Sequence, residues 1–139
     1  MHYTQFDSKI VFRLDPGEEL VQSIKKLCEQ LNITLGTITG LGATNNVTLG
    51  LYEVATKQYH QITRTGDHEI ASLYGNITQM NGEVYLHLHI TVCDKTYQSI
   101  SGHLNKAIIS VTFEGVIDCI KGTITRHKDQ HTGLNILSL

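Results

Sequence analysis

A chain of 139 residues can bury a proper hydrophobic core, and residues 1–139 read as one domain. It carries 11 Lys and Arg against 13 Asp and Glu, a formal net charge of −2, and the basic residues are scattered, so no basic stripe for phosphate contacts is visible. No apolar run reaches membrane-spanning length and no leader-like segment opens the chain, so a cytoplasmic protein without membrane contact is expected.

Residues 8–14 place Ile10, Phe12 and Leu14 on one face and predict a first strand. Asp15, Pro16 and Glu18 then read as N-cap, first helical residue and capping-box partner. Leu20, Val21, Ile24, Leu27, Cys28 and Leu31 recur at helical spacing, which predicts a helix over about 16–31 with one face on a sheet. Strand signals follow at 33–39, 47–54 and 58–63, the last two as a hairpin. Between them, Gly40-Leu41-Gly42-Ala43 reads as a tight turn or a close backbone approach. Asn45 stands where the third glycine of a dinucleotide loop would be. Residues 69–78 form a further strand, and Asn81-Gly82 is a hairpin turn leading into residues 83–93. Residues 108–120 predict a long strand with Val111, Phe113, Ile117 and Cys119 on one face and a bulge at Gly115. The tail is polar from Arg126, then apolar at Leu134, Ile136 and Leu137, as in a docked terminus or an oligomer contact. One helix against many antiparallel strands predicts an α+β sandwich. Cys28, Cys93 and Cys119 lie far apart without a Cys-x-x-Cys pair and read as reduced thiols.

Chemistry concentrates at residues 83–93. Val84, Leu86, Leu88, Ile90 and Val92 point to one side, and His87 and His89 leave the other. Their Cα atoms are roughly 6.5–7 Å apart, so the two imidazoles can converge on one point. His103, in Ser101-Gly102-His103-Leu104, follows closely enough to fold back over that face. Three neutral imidazoles with an open position suit Zn²⁺ and other transition metals. Glu69, Glu83 and Glu114 are the carboxylates that could join or orient such a site. Solvated surface histidines and a metal-free acid–base pair are the alternatives from spacing alone. Nucleophile-elbow, Walker and zinc-finger spacings are absent.

The order of several short motifs adds a further reading. Gly17-Glu18-Glu19 is followed by Gly40-Leu41-Gly42-Ala43, Val47-Thr48-Leu49-Gly50, Glu69-Ile70-x-Ser72-Leu73-x-Gly75-Asn76, His87-Leu88-His89, Gly102-His103-Leu104 and Thr132-Gly133-Leu134. Over nearly the whole chain this resembles the PPC domain (plants and prokaryotes conserved, also written PCC). The resemblance implies an α+β fold with an antiparallel sheet, a homotrimer, and in stand-alone prokaryotic members a metal, commonly zinc, held by the residues matching His87, His89 and His103. In plants the domain follows AT-hooks. This chain has no Arg-Gly-Arg-Pro, and it reads Gly66-Asp67-His68-Glu69-Ile70 where plant domains have Gly-Arg-Phe-Glu-Ile.

Three functions are therefore expected in turn. The first is a homotrimeric three-histidine metal module that binds a small anionic ligand. The second is a metal-dependent hydrolase with Glu69 or Glu114 as base. The third is a DNA-binding, transcription-associated protein.

Overall fold

Alternating sequence dominates the chain, and strands dominate the result. A computed structural model describes residues 1–139. The elements are β1 (His2–Phe6), β2 (Lys9–Leu14), α1 (Leu20–Gln30), β3 (Gly36–Glu53), β4 (Gln58–Met80), β5 (Glu83–Cys93), β6 (Ser99–Cys119), β7 (Arg126–Lys128) and β8 (Asn135–Leu137). Six strands form one antiparallel sheet in the order β1-β2-β6-β3-β4-β5. Residues 89–93 of β5 also pair with residues 99–103 of β6, so β6, β3, β4 and β5 close into a ring. One sheet coiled until its strands meet takes the place of the expected sandwich.

The helix begins at Leu20 and not at residue 16. Pro16-Gly17 forms the centre of a turn: Gly17 has φ +88°, and the Glu18 N–H donates to the Asp15 carbonyl at 3.3 Å. The Glu18 carboxylate does accept from the Asp15 N–H at 2.7 Å, but this contact closes the turn and not the helix. Glu19 is the cap. Its carboxylate accepts from the N–H groups of Val21 (3.2 Å) and Gln22 (2.7 Å), and from Ala107 of β6 at 3.1 Å. Beside it the Gly17 N–H donates to the Ile109 carbonyl and the Ile109 N–H to the Glu18 carbonyl. The helix entry is thus stitched to β6. Leu20, Ile24, Leu27 and Cys28 bury its apolar face.

The strands expected at 33–39 and 47–54 are one continuous strand, β3, and those at 58–63 and 69–78 are one strand, β4. The glycines between do not reverse the chain. They let β3 approach β6: a Cβ on Gly40 would meet the Phe113 ring, and one on Gly42 the Thr112 carbonyl. Register shifts fall at Gly40/Gly42 and Thr44/Asn46. Gly115 is likewise not a bulge. It pairs in register with Phe12 and Gly40, and a Cβ there would meet the Phe12 and Phe113 rings. The irregularity lies nearby, where the pair Gly42–Phe113 gives way to Thr44–Ile109. Val111 sits inside that shift and is turned out to solvent, contrary to its expected place on the core face.

Asn81 (φ +54°) and Gly82 (φ +81°) make the expected tight turn into β5. The tail docks. β7 and β8 form a small second sheet, joined to the body where the Gln79 N–H donates to the Ile124 carbonyl at 3.0 Å. No helix is long and apolar enough to cross a membrane.

Candidate metal centre

The alternation of β5 sends Leu88 (1% exposed) and Ile90 (2%) into the core. His87 and His89 therefore leave the outer face together. His103 lies on β6 itself, directly across the ladder from His89, and not on a connection folded back over the strand. Ring centroids are 5.2 Å apart for His87–His89, 5.3 Å for His87–His103 and 5.6 Å for His89–His103. One ligand nitrogen from each lies within 4.8 Å of the others.

The electrostatics suit a cation. Burial, then the neighbouring imidazoles, lower the His103 pKa to about 4. Burial, then the Arg126 charge and His89, lower that of His87. Both rings are neutral at neutral pH, so their nitrogen lone pairs are free to coordinate. The donor set thus fits a divalent transition metal of borderline softness.

The three rings face an open cleft of about 1030 Å³. Gly102 packs against β3, where a Cβ would stand 3.0 Å from the Gly50 carbonyl oxygen. Tyr59 lies edge-on to His103 with centroids 6.4 Å apart and donates its hydroxyl to Asn105 Oδ1 at 2.8 Å. Leu134, Asn135, Ile136 and Leu137 of the tail form the far wall.

Glu69, Glu83 and Glu114 stand elsewhere. Glu69 is opposite Cys93, and Glu114 pairs with Arg13 and Leu41. Glu83 is exposed and meets Lys25 at 3.3 Å. No acidic side chain lines the cleft. The residue that the sequence reading missed is Arg126. It is 7% exposed, lines the same cleft, and lies over the Tyr85 ring with its guanidinium carbon 4.8 Å from the centroid. The one hint in sequence was the return of apolar residues at 134–137, which signals that the tail docks.

The model of the Plants and Prokaryotes Conserved (PCC) domain matches residues 1–121. The chain belongs to this family. Arg126 and the β7–β8 hairpin lie beyond the matched part of the PCC domain. A solved structure from Bacteroides thetaiotaomicron, of a protein with a provisional DNA-binding name, is similar at 35% identity. It covers 99% of this chain and 96% of that one, with a TM-score of 0.96. A metal-containing protein from Archaeoglobus fulgidus is similar at 26% identity, with all of both chains covered and a TM-score of 0.87. Among curated proteins, a bifunctional GlmU protein from a Synechococcus strain is 28% identical over 130 residues. That stretch is 87% of this chain but 18% of the relative, so the chain spans a small part of that protein's length.

Proposed function

We propose that this PCC domain is a metal-dependent binding module. His87, His89 and His103 would hold a divalent ion, zinc by the character of the donors, and a small anionic ligand would reach it from the cleft. The observation that carries this reading is the convergence of three imidazoles from two paired strands, with nitrogens within 4.8 Å of one another. The metal-containing neighbour from Archaeoglobus fulgidus adds support. Bound there, the ion would supply a Lewis-acid centre. The residues of the chain hold and orient it, and the tail hairpin walls the ligand in. A hydrolase reading has less support, because no carboxylate lines the cleft to serve as base. DNA binding rests on the name of the Bacteroides neighbour and has no basic stripe behind it.

We also assign the domain to a cytoplasmic homotrimer. Leu41, Ile62, Tyr74 and Val111 are all left exposed on the ring strands, which favours packing against further copies.

Metal analysis of protein purified without added metal tests the site. About one ion per chain is expected in the wild type and a large loss in His89→Ala. Equal metal in both overturns the reading. Light scattering tests the trimer, and a monomeric mass refutes it.

A further inference from the structure

We propose that Arg126 is the anion-recognition residue of the cleft, and that the ligand is an organic carboxylate with an apolar body, its head against the guanidinium and its body along the tail hairpin. The second contact of the head, with the metal, rests on the function proposed above. The contact with Arg126 does not.

The charge count at this residue is unusual. Buried arginines are normally paired with an acid. Arg126 donates from Nε to Thr78 Oγ1 at 2.9 Å, from Nη1 to the Asn135 carbonyl at 2.8 Å, and from Nη2 to Asn76 Oδ1 at 2.7 Å. All three acceptors are neutral. No carboxylate comes within salt-bridge distance of it; the ion pairs of the chain involve other residues. A guanidinium has five N–H donors, so two remain, one on each Nη, on a group that lines the cleft. Two free donors on one cationic group suit the two oxygens of a carboxylate.

Position ties this charge to the histidines. Asn76, which holds Nη2, is the register partner of His87. Tyr85, under the guanidinium, precedes His87 by two residues on the same face of β5. The cleft thus places a cation beside three imidazoles and has no acid of its own. A metal ion would add further positive charge. Both call for an anion from outside. Beside the polar Ser101 and Asn105, the wall carries Leu51, Tyr52, Leu134, Ile136 and Leu137, which fit a hydrocarbon or aromatic body better than a bare inorganic ion.

Calorimetric titration of benzoate, benzamide and phenylphosphonate into zinc-loaded and metal-free protein tests the proposal. Benzoate is expected to bind the wild type and benzamide to bind far more weakly, a comparison that needs no variant. Arg126→Gln is expected to weaken benzoate roughly 10- to 100-fold, the worth of a charge-assisted contact. Should that variant fail to fold, Arg126→Lys serves, with a smaller loss because charge remains and the fork does not. Equal affinity for benzoate and benzamide, absence of benzoate binding, or equal benzoate affinity in wild type and Arg126→Gln overturns the proposal. Tighter Arg126-dependent binding of phenylphosphonate overturns the carboxylate assignment. Failure to take up zinc, with benzoate binding still dependent on Arg126, defeats the metal reading and upholds this one.

Discussion

The histidines and Arg126 face one cleft from walls of unlike construction. His87, His89 and His103 stand on strands whose register is set by main-chain ladders to β3 and β4 as well as to each other. Beneath them Leu88 and Ile90 are locked in the core. The opposite wall is a hairpin of two three-residue strands. Side-chain bonds from Arg126 to Thr78 and Asn76 and a few main-chain bonds hold it to the body, such as that from the Gln79 N–H to the Ile124 carbonyl at 3.0 Å. On the first wall, position comes from the backbone and chemistry from the side chains. On the second, the side chain that would recognise a ligand is also the anchor. A change on the strand wall can therefore remove function without moving structure, whereas a change at Arg126 does both.

The largest effect should come from the core under the histidines. Leu88→Ala removes a side chain that is 1% exposed and should cost about 2–5 kcal/mol, measurable by denaturant unfolding. A cost as small as that of a surface change would mean that the ladders alone hold this wall. Next comes Thr78→Val, which takes the acceptor from Arg126 Nε and should cost about 1–3 kcal/mol. Its signature should be faster proteolytic cleavage in the tail, with metal content unchanged. Loss of metal in this variant would show that the walls are not independent.

A smaller effect is pH dependence. The metal-free folded chain holds His103 at about 4, below the ordinary 6.5, so between these values the unfolded chain binds the proton and the folded chain does not. Stability should therefore fall as pH drops from about 6.5 to about 4 and level off for this group below that. His103→Gln should flatten the slope, and an unchanged slope would reassign it to other groups. Removal of residues 134–139 takes β8 and the Asn135 carbonyl from Arg126 and opens the far wall, but leaves the histidine ladder intact. Melting should shift less than for Leu88→Ala, with zinc uptake retained.

What was legible in sequence follows the same division. Residues 83–93 alternate without interruption, so the strand, its turn at Asn81-Gly82 and the shared face of His87 and His89 could all be read locally. His103 was legible as a residue but not in its place, because its pairing with His89 depends on where β6 enters the ladder. The glycines at 40 and 42 look like punctuation in a single chain. Of the two expected readings, a turn or a close backbone approach, the neighbouring strand selects the approach: they are clearance for Phe113 and Thr112. The helix start misled because Pro16 suits a first helical position, while Gly17 adopts the positive φ that a turn needs. For Arg126 the apolar return at residues 134–137 hints only that the tail docks, and not that this side chain enters the cleft. Its burial and its lack of an acidic partner arise from contacts with residues about 50 positions away.

The Glu19 carboxylate has a consequence for motion. Ala107 of β6 is the register partner of Val47 of β3, yet its amide proton goes to that side chain. Hydrogen exchange at this one position should report the helix lifting from β6, while the ladder amides around it report only the opening of the sheet. A single amide thus separates two motions that share one strand, and that strand carries His103 four residues earlier.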